Sequence, residues 1–290
     1  MIFGVLAKPR LRGFQKVEET FSNFFKKRKD KVLIHNSIKR KNSSNSNIES
    51  VSKDELVKRS DVLIVLGGDG TLLHIAEEAA KNKKPVLGIN LGNLGFLTEA
   101  PLRKLELLLD EYFKDNLVLD TRELLQAKIL ESNEVIYSTS FLNDVVINKG
   151  ALAKIINLDL FIDQSLVSNI RADGIIFSTP TGSTAYSLSA GGPIVTPRLP
   201  LVIITPICPH TLSNRPLVIS NKSLIKVKID SFNSPVFTTF DGDYSMEMES
   251  GFELEISKSS LKLNLLRFKD TKYFDVLKDK LMWSNNYGRK

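Results

Sequence analysis

The residues with the clearest chemical potential are Gly67-Gly68-Asp69-Gly70-Thr71. An unbroken apolar run at 62–66 precedes them, and a stretch with helical periodicity follows. This order predicts a buried strand, a tight turn and the N-terminus of a helix. Such a turn brings backbone N–H groups close to a phosphate, whose charge the helix dipole favours. Glycine suits the turn because a Cβ would block that approach.

Asp69 is the unusual residue of this turn, because a carboxylate in a phosphate cradle repels the ligand. The repulsion is tolerable if Asp69 takes a proton from an attacking hydroxyl group or helps to hold a metal ion. The turn is not a Walker A loop, since no lysine follows Gly70, and it lacks the G-x-G-x-x-G spacing. The alternative is an ordinary strand-to-helix turn in which Asp69 or Thr71 caps the helix.

A second segment, 171–193, begins with Arg-Ala-Asp-Gly, continues with three apolar residues and ends in an uncharged stretch dense in Ser, Thr and Gly. Such a stretch can hydrogen-bond sugar or phosphate oxygens without burying a charge. A helix starting within 184–190 would add N–H groups for an anion. The alternative is a Ser/Thr-rich turn before a helix, but length and density favour a ligand-binding loop.

Asn143 and Asp144 interrupt an apolar, strand-like run. They are either a satisfied buried pair or a ligand contact, and their spacing does not separate the two interpretations. Asp144 suits a ribose diol, since an ionised carboxylate only accepts hydrogen bonds and a diol donates two. By contrast, Asp241-Gly242-Asp243 predicts the tip of a β-hairpin.

Composition excludes several other classes of function. Net charge is +7, which suits an anionic ligand, but no basic stripe with interleaved aromatic residues predicts nucleic-acid binding. The three histidines share no metal-ligand spacing, so no zinc site is predicted. The single cysteine, Cys208, forms no intramolecular disulfide and favours a reducing cytoplasm. Neither a signal peptide nor a membrane span is expected.

The elements that position these residues fall into two patterns. Apolar strands alternate with helices over the first hundred residues, which predicts a parallel sheet with the 67–71 turn at the carboxyl ends of its strands. After a Leu-rich helix at 102–113 the period changes to two, which predicts an antiparallel, largely all-β fold. A last helix has Phe274, Leu277 and Leu281 on one face and is expected to return to the first domain.

We therefore predict an α/β N-terminal domain over 1–101, joined by 268–290, and a β-rich domain over 102–267. The first domain carries the glycine turn. The polar tract at 39–47 predicts a mobile surface loop.

Taken with 88–98, 206–215 and 281–284, these segments resemble NAD kinases of the bacterial type over most of the chain. The turn is shared with lipid kinases and phosphofructokinases, whereas the long Ser/Thr segment is specific to NAD kinases. The resemblance implies that the β-rich domain over 102–267 binds NAD and that the active site lies between the two domains. It also implies transfer of the terminal phosphate of ATP, or of polyphosphate, to the 2′-hydroxyl of the adenosine ribose of NAD, giving NADP.

The resemblance assigns roles residue by residue. Asp69 matches the proposed proton acceptor, and Phe96 matches a residue that packs against the dinucleotide. Further positions match NAD contacts, namely Gly70, Asn143, Asp144, Lys154, Arg171, Asp173, Thr184, Ala185, Tyr186, Ser187, Leu188, Ser189 and Asp243. The phosphate donor is expected at Gly67, Gly68, Gly70 and Thr71.

Two positions depart from the family pattern. The family often has glutamate where Asp144 stands, so the shorter side chain must sit closer to the diol. Asp243 stands where a neutral residue is common, which places a charge near a pyrophosphate.

The resemblance further implies a divalent cation such as Mg²⁺ and a cytoplasmic homodimer or homotetramer, with no nucleic-acid or membrane partner. A rival enzyme is a lipid kinase of the diacylglycerol or sphingosine type, which would need an apolar acyl pocket. A rival of another class is a non-catalytic dinucleotide-binding regulator, in which Asp69 would be dispensable.

Overall fold

The computed structural model describes residues 1–8, 11, 14–25, 28–38, 47–92, 94–150, 154–211, 213–229, 235–249 and 251–283. The chain forms two compact units. Unit 1 comprises Met1–Thr121 and Leu263–Lys290, and unit 2 comprises Arg122–Lys262. The loop expected at 39–47 lies, apart from Asn47, outside the described residues.

Unit 1 opens with alternating strands and helices, as the sequence predicted. Its first strands are β1 (Ile2–Ala7), β2 (Lys31–His35), β3 (Ile48–Val51), β4 (Val62–Gly67), β5 (Val86–Asn90) and β6 (Ala100–Pro101), and its first helices are α1 (Phe14–Phe25), α2 (Lys53–Arg59), α3 (Asp69–Lys81) and α4 (Leu105–Phe113). The strands pair in parallel in the order β3-β2-β1-β4-β5. Every residue of β4 is buried, which is typical of parallel strands covered on both faces. The predicted parallel sheet is confirmed.

Aromatic and leucine side chains from the helices form the core of unit 1. Phe25 of α1 stacks on Phe3 of β1, with ring centroids 4.7 Å apart. Leu105, Leu108 and Leu109 of α4 are buried in the same core. Unit 1 therefore includes a helix that the sequence assigned to the second domain, and the predicted domain ranges stay a prediction.

Unit 2 is built from antiparallel strands and one short helix among the described residues. Its elements are β7 (Leu117–Glu131), β8 (Glu134–Phe141), β9 (Asp144–Lys149), β10 (Ile156–Ile162), β11 (Ser165–Ala172), β12 (Gly174–Ser178), α5 (Tyr186–Ser189), β13 (Leu201–Ile207), β14 (Leu217–Ser220), β15 (Ile225–Ile229), β16 (Val236–Phe240), β17 (Tyr244–Met248) and β18 (Phe252–Phe268). One set of strands has the order β14-β13-β12-β9-β16-β17, and another has β11-β10-β15-β18. Both β7 and β18 begin in one unit and end in the other. The predicted β-rich fold is confirmed.

The alternating pattern of these strands has the predicted physical basis. Ile225, Val227 and Ile229 of β15 are buried in the core of unit 2. The intervening Lys226 and Lys228 point away and pair with Glu253 of β18 at 3.0 and 2.7 Å. One face of the strand thus supplies the apolar core and the other carries charge.

The end of the chain departs from two details of the prediction. The alternating segments at 252–256 and 261–265 belong to one continuous strand, since no glycine or proline separates them. Leu265 of this strand pairs in parallel with Val86 of β5. The predicted last helix is α6 (Tyr273–Leu281), but its buried residues are Val276 and Leu277, whereas Phe274 is 59% exposed.

Candidate functional site

The glycine turn lies where the sequence placed it, between β4 and α3. Gly68 is the N-cap of α3, and its carbonyl accepts the N–H of Thr71 at 3.0 Å. A Cβ at Gly67 would come within 2.2 Å of Thr71 Oγ1, so this glycine is required for packing. At Gly68 and Gly70, a Cβ would have no described atom within 4 Å apart from those of the adjoining residues and of the nearby α3 backbone. These two glycines therefore border open space, as a phosphate site requires.

Because Gly70 borders open space, a substitution at this position should affect the stability of the protein and its binding of phosphate in opposite directions. Gly70→Ala is expected to stabilise α3 by about 0.5–1 kcal/mol, because alanine is the better helix former and meets no neighbour. The same methyl group would weaken ATP binding by roughly tenfold if a phosphate occupies the space beside the turn. Thermal unfolding and calorimetric titration with ATP measure the two effects. Unchanged ATP affinity would place the phosphates elsewhere.

The Asp69 carboxylate is held by a loop rather than by its own helix. Its Oδ2 accepts the N–H of Phe96 at 2.8 Å. Its Oδ1 accepts the N–H groups of Leu97 and Thr98 at 3.1 and 3.0 Å and the Thr98 hydroxyl at 2.9 Å. Among the described residues, no side-chain hydrogen bond caps α3, so the alternative in which Asp69 or Thr71 caps the helix is wrong. We call 95–98 the aspartate loop.

The aspartate loop is closed tightly around the carboxylate. The Gly95 N–H donates to the Thr98 carbonyl at 3.1 Å. A Cβ at Gly95 would lie 2.0 Å from Asp69 Oδ1, so a side chain would collide with the carboxylate. Asn90 Nδ2 donates to Thr98 Oγ1 at 3.2 Å and orients that hydroxyl. Leu97 and Thr98 were missed as site residues because they lie 28 and 29 positions from Asp69 in the sequence.

The two oxygens of Asp69 differ in what they can still do. Oδ1 accepts three described hydrogen bonds and Oδ2 accepts one. A carboxylate oxygen has two lone pairs, so Oδ2 retains capacity for a further donor. The arrangement can fix the orientation of the Asp69 carboxylate and leave Oδ2 to receive a hydroxyl group.

A pair of carboxylates lies in unit 2, with Asp144 at the start of β9 and Asp241 in the turn between β16 and β17. Asp241 accepts the N–H groups of Leu142 and Asn143 at 2.7 Å each, and that of Asp144 at 3.0 Å. Asp144 is buried, and burial together with the charge of Asp241 raises its pKa to about 7. The N–H of Tyr186 donates to Asp144 and acts in the opposite direction. Asp144 therefore titrates near neutrality.

The hairpin predicted at Asp241-Gly242-Asp243 is confirmed. This tip joins β16 to β17, and both Asp241 and Gly242 have positive φ, at 48° and 67°. The sequence did not show the role of Asp241 in holding the backbone at 142–144. The contact bridges 97 to 99 residues, so no local pattern reports it.

Asn143 joins the carboxylate pair to the hydroxyl-rich segment. Its carbonyl accepts the N–H of Thr179 at 2.9 Å, and the Thr179 hydroxyl donates to the Leu142 carbonyl at 2.5 Å. A Cβ at Gly182 would lie 2.1 Å from the Asn143 carbonyl oxygen. Glycine at 182 thus permits close contact of the two backbones.

Many hydroxyl groups of this segment bond within unit 2. Ser183 Oγ donates to the Pro180 carbonyl at 2.8 Å, and Ser187 Oγ shares a 3.0 Å hydrogen bond with Thr205 Oγ1. Both serines are fully buried. The helical part is a 3₁₀ turn at Thr181–Thr184 followed by the four-residue α5. A helix thus starts within 184–190 as expected, although it spans only four residues, and the side chains of Tyr186 and Ser189 are exposed on it. The ligand-binding role of this segment stays a prediction.

The other predicted site residues occupy varied environments. Phe96 is partly buried, with the Lys280 ammonium 5.5 Å from its ring centroid. Asp173 pairs with Lys149 at 3.0 Å. At the remaining positions, the side chains of Lys154, Arg171 and Asp243 are exposed. Those of Thr184, Ala185 and Leu188 are partly buried.

Two expectations concern metal and membrane. Within the described ranges, no three His, Cys, Asp or Glu side chains are grouped closely enough to hold a metal ion. The described residues thus form no metal site of this kind on their own, and the expected Mg²⁺ stays a prediction. Among the described helices, none has the length and apolarity to cross a membrane.

Comparison with known proteins decides the family. The model of the ATP-NAD kinase N-terminal domain matches residues 12–117, and that of the C-terminal domain matches 142–268. The NAD kinase of Geotalea daltonii is 43% identical over 234 residues, which cover 81% of this chain and 82% of the relative. The chain belongs to the NAD kinase family. The predicted family and the predicted class of enzyme, a kinase, are confirmed.

Further relatives of the NAD kinase family support the fold. The NAD kinase of Trichlorobacter lovleyi is 42% identical over 80% of this chain and 82% of its own. A crystal structure of yeast NADH kinase complexed with NADH covers all of this chain and 89% of the yeast chain, at TM-score 0.89 and 26% identity. An Archaeoglobus fulgidus NAD kinase in complex with ATP covers 97% of this chain and 99% of its own, at TM-score 0.73 and 27% identity.

Proposed function

We propose that this NAD kinase family member transfers the terminal phosphate of ATP to the 2′-hydroxyl of the adenosine ribose of NAD, forming NADP. The observation that carries the proposal is the Asp69 carboxylate, held by the aspartate loop beside the open space at Gly68 and Gly70. Two solved relatives, yeast NADH kinase complexed with NADH and an Archaeoglobus fulgidus NAD kinase in complex with ATP, support the choice of substrates.

The glycine turn would bind the phosphates of ATP. The N-terminus of α3, where the N–H groups of Asp69 and Gly70 lie, carries the positive end of the helix dipole. Gly67 lets Thr71 pack beneath the turn, while Gly68 and Gly70 leave room above it. Mg²⁺ would enter with ATP, since it is usually held by phosphates and one or two carboxylates, and would supply charge neutralisation.

Asp69 would accept the proton of the attacking hydroxyl group at Oδ2. Its Oδ1 is saturated by donors from Leu97 and Thr98, which fix the orientation of the carboxylate. Phosphoryl transfer needs mainly positioning and charge stabilisation, so a rigid acceptor at the correct place is the chief contribution of this residue.

NAD would be recognised through residues of unit 2 together with Phe96. The ribose diol would donate to Asp144, whose neighbour Asn143 is fixed by Asp241. Exposed Arg171 and Lys154 suit the pyrophosphate, and Asp173 is held by Lys149. The remaining NAD contacts that we propose are Gly70, Thr184, Ala185, Tyr186, Ser187, Leu188, Ser189 and Asp243. The side chain of Ser187 is buried, so only its backbone could take part without a rearrangement.

The direct test is NADP formation by purified protein given NAD, ATP and Mg²⁺, measured through an NADP-specific dehydrogenase. We expect product that disappears when NAD or ATP is omitted. Absence of product with NAD binding still seen by calorimetry would favour polyphosphate as donor and, if that also fails, a regulator. Binding to liposomes in place of NAD would favour the lipid-kinase rival.

The pKa of Asp144 predicts the pH dependence of NAD affinity. An ionised carboxylate accepts both diol hydrogens, so NAD should bind the ionised form better and affinity should rise with pH. With a pKa of about 7, affinity is expected to increase about tenfold from pH 6 to pH 8 and then level off. Calorimetric titration measures this, and Asp144→Asn is the matched control that should show no such rise. A flat wild-type profile would contradict the proposed contact.

We also propose a cytoplasmic homodimer or homotetramer. Support comes from apolar side chains exposed on two strands of unit 2, Val135 and Ile136 of β8 and Leu166 and Val167 of β11, which are 41 to 52% exposed. Each of these strands pairs with a single described neighbour, β8 with β7 and β11 with β10, and exposed apolar residues on such edge strands can mark interfaces between protein chains. Light scattering of the purified protein would show a monomer if this is wrong.

A further inference from the structure

Arg267 lies near the C-terminal end of β18, where it is buried and contacts three other residues of unit 1. Its Nη1 is 2.6 Å from Glu99 Oε1, and its Nε is 3.1 Å from Asp120 Oδ2. Its Nη2 donates to the Phe96 carbonyl at 2.9 Å. The side chain is only 9% exposed, so these interactions are little screened by water. The planar guanidinium can serve all three partners at once, which a lysine cannot.

The contact with Phe96 reaches the Asp69 site through one peptide group. The carbonyl of Phe96 and the N–H of Leu97 belong to the same planar peptide. The carbonyl accepts from Arg267, and the N–H donates to Asp69 Oδ1 at 3.1 Å. The peptide is thus held at both ends, by a cation on one side and by a carboxylate on the other. Hydrogen bonds arranged in such a chain polarise and strengthen each other.

We propose that Arg267 is a positioning residue for phosphoryl transfer, which fixes the 96–97 peptide so that the aspartate loop holds Asp69 in its reactive orientation. The effect of Arg267 on catalysis rests on the proposed function, whereas its effect on the order of the aspartate loop does not. Arg267 touches neither of the Asp69 oxygens in the described contacts and acts through the loop.

The test compares two variants of the same ion-pair cluster in the full-length protein. Arg267→Met removes the bond to Phe96 together with the ion pairs to Glu99 and Asp120, whereas Asp120→Asn weakens the ion pair at Nε, outside the aspartate loop. Hydrogen–deuterium exchange of the 95–98 amides is measured for both, along with kcat and the KM values for NAD and ATP. Arg267→Met should speed exchange of these amides and lower kcat by about tenfold or more, with KM values changed less than about threefold. Asp120→Asn should leave both near wild type.

Arg267→Lys covers the case in which Arg267→Met does not fold. Lysine keeps a charge beside Glu99 but cannot also bind Phe96, so its amide exchange and kcat should fall between those of wild type and Arg267→Met. The inference is overturned if exchange at 95–98 is unchanged in the Arg267 variants. It is equally overturned if kcat tracks only the melting temperature across all three variants. A wild-type protein without NADP formation would sink the proposed function, while the exchange comparison would still decide the role of Arg267.

Discussion

Asp69→Asn is expected to lower kcat for NADP formation by roughly 10²–10⁴-fold, the usual contribution of a positioned general base. Asparagine cannot accept the proton of the 2′-hydroxyl at neutral pH. Its amide nitrogen would also face an N–H group of the aspartate loop, because both oxygens of Asp69 accept from that loop. We therefore expect the variant to lose about 1–3 kcal/mol of stability as well. Steady-state kinetics and chemical denaturation measure the two losses.

The loss of turnover must be separated from the loss of loop order. Thr98→Val is the matched control, since it removes one hydroxyl donor to Asp69 with little change of shape and keeps the carboxylate. It should perturb the loop yet lower kcat by less than about tenfold. Retained wild-type turnover in Asp69→Asn would refute the assignment of the base. Equal losses in both variants would reduce Asp69 to an anchor for the loop.

The sequence predicted those parts of the fold and site that depend on local patterns. The apolar run at 62–66 and the glycines at 67–70 lie next to each other in the chain, so their strand, turn and helix could be foreseen. The partners of Asp69 could not, because the aspartate loop reaches it across more than 25 residues without a periodic signal. Arg267 is further removed, 171 residues from Phe96. In sequence it is one charged residue near the end of an alternating strand.

The composition of a segment does not show which way its side chains point. The density of Ser and Thr at 178–189 predicted a surface of hydroxyl groups for a ligand. In the fold, Ser183 and Ser187 point inward and satisfy buried backbone or hydroxyl partners. A hydroxyl can serve either purpose, and only the direction of each side chain decides between them. The same segment still places Tyr186 beside Asp144, through its N–H group.

Asp144→Asn is expected to weaken NAD binding and to stabilise the unliganded protein at alkaline pH. The pKa of Asp144 in the folded chain, about 7, lies above its usual value of 3.8, so folding favours the protonated form. That contribution to stability is fully present below about pH 4 and is lost as pH rises through 7. Between pH 5 and pH 8 the wild type should lose roughly 2–3 kcal/mol that the asparagine variant keeps. Denaturant unfolding at both pH values measures the difference.

The same substitution should lower NAD affinity about 10- to 100-fold at pH 8, the effect of losing hydrogen bonds to a charged acceptor. Asn143→Ala is a useful comparison, because it alters the neighbouring side chain and leaves the carboxylate and its repulsion from Asp241 in place. Its stability should follow the pH dependence of the wild type. If unfolding curves of wild type and Asp144→Asn shift in parallel with pH, the carboxylate does not titrate as its burial demands. A carboxylate at position 144 destabilises the free protein, and a ribose diol would offset this cost by donating hydrogen bonds to it. NAD binding therefore explains why the residue is aspartate, whereas a purely structural role would favour asparagine.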